Sequence, residues 1–467
     1  MMQMMNKLAI ARHFVQARRR WKRLRGGALE RYQEKRAQQM VAYAIQHSPF
    51  YRAHWAGFTP RDWRVLPTVD KQVMMEHFDT FNTRGIQRDV AMEIALEAER
   101  SRDFQPTLNG LTIGLSSGTS GHRGLFVADA WEQAGWAGTI LARTLHQLPR
   151  KRLRVAFFLR SNSNLYEQVG SSLIQFRYFD LMLPLTEVVS SLNTFQPYIV
   201  VAPPSMLGFL AQELLAHRLH ILPERLISVA EVLEPQDRQQ IEVAFNAPVQ
   251  QIYQCTEGLL AVSCEHNSLH IQEDLVVLQL EPLSGSDDSD DSSGSNGSNG
   301  SSGRNGQPIQ RVQPIVTDLW RRTQPIIRYR LNDVLQIEPE LCSCGSPFRV
   351  IRAIEGRCDD VYTFELLTGG TRPFFPDTIR RMILLASPDI TDYQVVQERR
   401  GHLHIYLSIV PGASFAEVSQ AVLTSVNATI AQYACCPATM RIEQGLPLLK
   451  PGVKRRRVQV MRRLKDD

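Results

Sequence analysis

The chain has 467 residues, more than one compact core accommodates, with the 43% apolar and 21% charged content of an ordinary globular protein. No apolar run approaches the roughly 18–20 residues that cross a bilayer, no short apolar core with a small-residue cleavage site marks a secretory signal, and seven cysteines without a framework spacing place the protein in the reducing cytoplasm. The net charge of +6 is unevenly spread: residues 1–40 carry +9 and residues 450–467 carry +6, leaving the body at −9.

In chain order, residues 1–40 read as a basic helical extension containing "ARRRWKRLR" (17–25). Such a stretch suits nucleic acid or an anionic membrane, but the commoner role is a charged helix face packed on the body, here by Phe14, Trp21 and Leu24. No nucleic-acid partner is therefore expected. "LSSGTSGHRG" (115–124) follows as the end of a strand, a turn and a basic, glycine-containing loop. Its glycines let backbone N–H groups converge and its hydroxyls add donors, a combination that suits phosphate oxygens. No Gly-Lys-Ser/Thr closes it, so it is not the nucleotide-triphosphatase loop.

Strands at 154–160, 177–184, 197–202, 226–232 and 247–253 then alternate with helical stretches such as 204–219. That alternation predicts an α/β body with a partly parallel sheet. Residues 284–307, a Ser/Gly/Asp run without an apolar side chain, cannot offset the entropy of ordering and read as a disordered insertion spanning roughly 25–30 Å. Strand-like flanks on both sides make it an insertion in a hairpin. After "GRCDD" (356–360) a helix over 376–386, a strand over 402–410, a helix over 414–431 and a strand near 439–445 form a separate α+β domain. The domains are thus 1–40, 41–358 and 359–467.

Six stretches, in order, resemble one family. "SSGTSG" resembles the Ser/Thr/Gly phosphate loop of the adenylate-forming superfamily. "HSPFYRAHW" with "LPTVDK" (47–71) and "VAPPSML" (201–207) resemble elements of its phenylacetate–CoA ligase-like branch. "VAEVLEP" with "IYQCTEG" (229–258), "PIIRYRLND" (325–333) and the hinge-like "GRCDD" complete the set. The resemblance runs from about residue 40 to the end. It implies a large N-terminal domain of β-sheets and packed helices and a small, mobile C-terminal lid. These enzymes join a carboxylate to the α-phosphate of ATP, so donors and cations must surround accumulating negative charge.

By the resemblance, Ser116, Ser117, Gly118, Thr119, Ser120 and Gly121 enclose the departing phosphates. Tyr253 stacks on adenine with Ala230 and Glu231 along its edge, and Thr256 binds the α-phosphate. Glu257 holds Mg²⁺. Asp333 accepts the ribose hydroxyls and Arg357 backs them. Asp359 is the pivot of the lid, and Lys454, with Lys450 second, brings the lid's catalytic cation. The acid lies near Ser205–Leu207 and Val229–Cys255. Two departures stand out: Arg123-Gly124 replaces the loop's usual Pro-Lys, and Gln254 replaces the glycine after the tyrosine. "RGLF" after the loop is closer to the deazaflavin-coenzyme adenylyltransferase-related proteins.

"CSCG" (342–345) and "SCEHNSLHI" (263–271) group thiols and imidazoles in the manner of tetrahedral zinc sites. By the same resemblance the ligands are Cys264, His270, Cys342 and Cys344, with His266 competing. The expected protein is an ATP- and Mg²⁺-dependent ligase, with structural Zn²⁺. It would adenylate a small, aromatic carboxylic acid and pass it to CoA or a carrier-protein thiol, as a homodimer. AMP transfer to a hydroxyl-bearing acceptor, or a degenerate binding protein, are the alternatives.

Overall fold

The computed structural model describes residues 2–101, 103, 107–116, 123–145, 152–159, 174–181, 183–283, 310–448 and 456–461. The Ser/Gly/Asp insertion, most of the Ser/Gly loop and Lys450 and Lys454 lie outside them. The chain divides into two compact units, residues 1–280, 314–331 and 337–352 in one, and 281–313, 332–336 and 353–467 in the other.

The first unit is built on parallel strands Leu153–Leu159, Ile174–Asp180, Ile199–Ala202, Arg225–Ser228 and Val249–Cys255. Both faces are buried. Ala156, Phe158, Val200 and Leu226 pack against helices Leu185–Phe195, Pro204–Leu215 and Pro235–Phe245, while Val155, Phe157, Val201 and Ile227 form a second cluster behind. Two-sided burial explains why these strands read as continuous apolar runs. After Val249–Cys255 the sheet turns antiparallel through Gly258–Ser263 and Leu269–Ile271.

A three-stranded antiparallel sheet, Thr107–Leu108, Leu111–Leu115 and Leu125–Ala128, carries the Ser/Gly loop as the connection between its last two strands. Gly114 is required there, because a Cβ would meet the Phe126 ring at 2.1 Å.

The basic N-terminal segment is part of this unit. Helix Met2–Arg23 crosses helix Ala130–Thr144 at Gly138, where a Cβ would lie 2.6 Å from the Ile10 carbonyl oxygen. Beneath it Asp274 is fully buried and accepts from Arg143 Nη2 at 2.9 Å and Arg20 Nε at 2.8 Å. Burial alone would raise the Asp274 pKa, but the two guanidiniums overcome it and hold the carboxyl below its ordinary range. Trp21 faces inward under the Arg143 guanidinium.

The second unit is α+β. Strands Thr439–Gln444, His402–Ile409, Ile390–Arg399 and Val458–Val460 form a sheet in that order, on which helices Pro376–Leu384 and Phe415–Gln432 bury Ile379, Ile383, Val418, Val422 and Val426. Strand Ile390–Arg399 is absent from the sequence expectation. Its inward row of Ile390, Tyr393 and Val395 ends on Gln397. That side chain is buried because its amide bonds the Thr363 backbone twice, at 3.1 and 3.0 Å. The insertion's flanks pair as a hairpin would, with Leu283 N donating to Arg311 O at 3.1 Å. No helix among the described residues is long and apolar enough to cross a membrane.

Candidate functional site

The Ser/Gly loop is closed at its root. Ser116 N donates to Gly124 O at 2.7 Å, and Gly124 N returns a bond to Ser116 Oγ at 2.7 Å. Lys71 Nζ donates to the same hydroxyl at 3.1 Å. Asp70 aims that lysine: its carboxylate caps helix Lys71–Glu76 by accepting from Val73 N at 2.9 Å. One residue earlier Val69 pairs with the "RYR" segment, donating to Arg328 O at 3.1 Å and accepting from Arg330 N at 2.8 Å. Arg123, which with Gly124 stands where the resembled loop has Pro-Lys, is engaged by a carboxylate. Its guanidinium pairs with both oxygens of Glu99, and its Nε donates to Ser116 O at 3.2 Å. Ser117, Gly118, Thr119, Ser120 and Gly121 lie outside the described residues.

Thr256 and Glu257 form the two-residue tip of the hairpin joining Val249–Cys255 to Gly258–Ser263. The Glu257 carboxylate is buried, at 7% exposure, and accepts from Thr256 Oγ1 and Tyr329 OH, both at 2.9 Å. Burial and the neighbouring carboxylate push the Tyr329 phenol well above its ordinary pKa, so it stays a donor. Arg321 anchors the tip through the Thr256 carbonyl and reaches Gln324 Oε1 at 2.7 Å. Gln324 in turn accepts from Val127 N at 3.0 Å, on the strand that leaves the Ser/Gly loop. Both donors to Glu257 are neutral, and no basic side chain pairs with it among the described residues. A buried carboxylate in that position fits a divalent cation.

Tyr253 and Gln254 sit half-buried on the same strand, with a register shift between them. Trp136 Nε1 donates to Gln254 Oε1 at 2.8 Å. Ala230 adopts φ 68°, a left-handed conformation that favours glycine. The Glu231 side chain turns to the start of helix Pro204–Leu215, accepting from Ser205 N at 3.3 Å.

Asp333 and Arg357 form a group of their own in the second unit. Asp333 opens strand Asp333–Glu338 and Arg357 ends strand Val350–Arg357. Cys358 N donates to Asn332 O at 3.1 Å and joins the two ends. Asp359 lies in the short 3₁₀ turn Cys358–Asp360, next to Asp360, which is buried and paired with Arg456.

The four residues that the resemblance names as zinc ligands lie together in the structure. The ligand atoms of Cys264, His270, Cys342 and Cys344 all lie within 4.8 Å of one another. Cys264 Sγ is 3.8 Å from Cys342 Sγ, and Cys344 Sγ is 3.3 Å from His270 Nε2. Tetrahedral zinc with about 2.3 Å Zn–S bonds requires sulfur–sulfur edges of about 3.8 Å, so the set fits. His270 Nδ1 meets Phe348 O at 2.8 Å, which turns Nε2 inward as an acceptor. Burial raises the Cys264 thiol and pushes Cys344 up to about 12, and burial lowers His270. Backbone donors hold this sulfur cluster in place: Cys344 N to Cys342 Sγ at 3.5 Å and Ser346 N to Cys344 Sγ at 3.4 Å. His266, the competing ligand, is half-exposed and its ring faces Glu265 at 3.9 Å. Trp21 of the N-terminal helix closes the cluster from outside, edge-on to His270 at 5.3 Å and to Phe348 at 5.0 Å between ring centres.

Sequence reasoning passed over Lys71, Tyr329 and Trp136 as participants. The Asp-Lys pair at a helix start and the tyrosine between two arginines were visible signals for the first two. Trp136 had none, since only the fold brings it to Gln254.

No protein-family model matches the chain. Over 430 residues it is 24% identical to the phenylacetate-coenzyme A ligase of Thermus thermophilus, covering 85% of this chain and 84% of that protein. Its fold is similar to that of 2-hydroxyisobutyryl-CoA ligase in the postadenylation state, with a TM-score of 0.66 at 19% identity over 92% of this chain and 89% of the other. The acyl acid amido synthetase GH3.15 follows at a TM-score of 0.57 and 12% identity, over 89% and 86% of the two chains. The chain thus has the α/β fold of the adenylate-forming ligases, with its smaller α+β region at the C-terminus.

Proposed function

We propose that the protein activates a small carboxylic acid with ATP·Mg²⁺ and transfers the acyl group to a thiol of the CoA type. A carboxylate oxygen attacks the α-phosphorus of ATP, and the bond from that phosphorus to the bridging oxygen breaks. The products are acyl-adenylate and pyrophosphate. The thiolate then attacks the acyl carbon and AMP leaves. The observation that carries this reading is Glu257: a buried carboxylate at a hairpin tip, met among the described residues only by neutral donors. The Tyr329 segment that steadies it also holds, through Val69, the stretch that delivers Lys71 to the phosphate-type loop.

In this reading Ser116 and Lys71 meet the leaving phosphates, together with Ser117, Gly118, Thr119, Ser120 and Gly121, and Thr256 meets the α-phosphate. Mg²⁺, held by Glu257, supplies charge that offsets the phosphates. Tyr253 and the Ala230–Glu231 turn take the adenine, and Asp333 and Arg357 the ribose. The C-terminal domain, residues 359–467, pivots at Asp359 and contributes Lys454. Cys264, His270, Cys342 and Cys344 hold Zn²⁺ as a brace rather than a catalyst, because all four candidate ligands are protein atoms and Trp21 covers the imidazole. The similarity to a phenylacetate-CoA ligase and a 2-hydroxyisobutyryl-CoA ligase supports both the acid and the thiol acceptor.

Pyrophosphate release from ATP·Mg²⁺, measured against a panel of aryl, fatty and hydroxy acids with and without CoA, tests the proposal. Acid-dependent release, with a thioester formed when CoA is present, is the expected result. Release that requires a hydroxyl acceptor and no acid would replace it with nucleotidyl transfer.

A further inference from the structure

The glutamine at 254 stands where the resembled motif has glycine, and the structure shows what its side chain does. Trp136, from helix Ala130–Thr144, donates its indole N–H to Gln254 Oε1 at 2.8 Å. That bond fixes the amide's orientation, since an indole N–H can only donate. The Gln254 Nε2 group is left as a two-proton donor with no acceptor among the described residues. The backbone supports the same arrangement. Tyr253 faces Ala261 and Gln254 faces Leu259, so Leu260 is an extra residue on the partner strand, and this bulge falls between Tyr253 and Gln254. Bulges of this kind re-aim a side chain.

The indole that orients the amide is itself held by apolar side chains. Trp136 packs on the buried cluster of Ile140, Leu259 and Val262, with Ile252 and Leu275 beside it. Two residues further along the strand lies Thr256 and three further lies Glu257, the end at which the phosphates are proposed to sit. An oriented amide donor so close to the reacting end is an element of selection: it adds a hydrogen-bond donor and takes up volume that a glycine would leave open.

We infer that Gln254, oriented by Trp136, is a specificity-determining residue selecting short carboxylic acids that carry a hydrogen-bond-accepting oxygen, a hydroxyl or a carbonyl, near the carboxylate. The inference rests on the proposed adenylation at this hairpin. It departs from the aromatic acid that the resemblance implied. A site that donates to a substrate oxygen discriminates against the analogue lacking it, because the donor is then left unpaired.

The test compares matched acids, propionate with lactate and butyrate with 3-hydroxybutyrate, by acid-dependent ATP–pyrophosphate exchange. Wild type, Gln254→Met, Gln254→Gly and Trp136→Phe are assayed in parallel, and binding of the same acids is measured by calorimetry with a non-hydrolysable ATP analogue present. Gln254→Met keeps the volume and removes the donor. Wild type is expected to favour the oxygenated member by about ten- to a hundredfold in kcat/KM, and Gln254→Met to lose that ratio. Trp136→Phe is expected to lose part of it, and Gln254→Gly to admit larger aryl acids. An unchanged ratio in Gln254→Met, or no preference in wild type, overturns the inference while leaving adenylation intact. No exchange with any acid removes the adenylation reading instead. Calorimetry then decides: binding of oxygenated acids that Gln254→Met abolishes sustains the role of Gln254, and indiscriminate or absent binding overturns it.

Discussion

One strand, Gly258–Ser263, begins at the Thr256–Glu257 tip and runs into Cys264, so its ends, roughly 20 Å apart at strand rise, carry two polar centres of opposite design. At the first end the buried Glu257 carboxylate is met by two hydroxyl donors and by no basic side chain among the described residues. At the other end three sulfurs and an imidazole nitrogen lie within 4.8 Å of one another, and an indole from the N-terminal helix packs edge-on to the imidazole. A buried charge held only by neutral donors suits a ligand that arrives and leaves. A closed tetrahedral set suits one that stays. On the proposed reading, the same sheet positions chemistry at one end and stability at the other.

If that division holds, substitutions at the two ends fail differently. The largest effect is expected from Glu257→Gln, which keeps the hairpin's shape and removes the charge. Pyrophosphate exchange should fall by about 10²–10³, with the melting temperature within a few degrees of wild type. A large loss of stability instead would make Glu257 part of the brace.

Next comes the ion cluster that ties the N-terminal helix to the covered end. Asp274→Asn leaves the buried Arg143 without its counter-charge, and denaturant unfolding should show a loss of about 3–5 kcal/mol. The pH dependence follows from the depressed Asp274 pKa. The contribution is fully present above the unfolded carboxyl pKa, near 4, and is lost as pH falls through the lower folded value. Unfolding of wild type followed from pH 6 to pH 2 should therefore steepen below about pH 4, and Asp274→Asn should lack that component.

Lys71 and Arg123 sharpen the contrast at the first end, since Lys71 Nζ meets the Ser116 hydroxyl while the Arg123 guanidinium is held by both oxygens of Glu99. Lys71→Met should cost about ten- to a hundredfold in kcat/KM for ATP, the range of one charge-assisted hydrogen bond. Arg123→Met should cost less, and equal losses would contradict the assignment. The smallest effect is expected at Trp21. Trp21→Ala should weaken zinc binding by about tenfold, as removal of a group packed on a ligand does. Cobalt substitution, read from the thiolate absorption bands during chelator competition, checks this without an activity assay.

Much of this was legible in the sequence, for physical reasons. Parallel strands buried on both faces announce themselves as apolar runs, as at Ile199–Ala202. The Cys264–His270–Cys342–Cys344 set came from the family resemblance, since the two local thiol stretches alone do not join Cys264 to Cys342 across 78 residues. Contacts that depend on long-range folding were not legible. Trp136 meets Gln254 across 118 residues, and Tyr329 meets Glu257 across 72. Strand Ile390–Arg399 escaped because Gln397 breaks its apolar alternation, and its burial depends on the Thr363 backbone. The basic N-terminal helix reads in sequence as a charged face packed on the body by residues that include Trp21, but nothing local shows that Arg20 turns inward to the buried Asp274.

The central claim is that the Glu257 end forms an acyl-adenylate, and isotope transfer tests it most directly. The best acid from the panel is labelled with ¹⁸O in its carboxylate and turned over with ATP·Mg²⁺ and CoA, and the AMP is analysed by mass spectrometry. The account predicts one labelled oxygen in AMP per turnover, since the carboxylate oxygen that attacks the α-phosphorus leaves with it. AMP formed without label would contradict it.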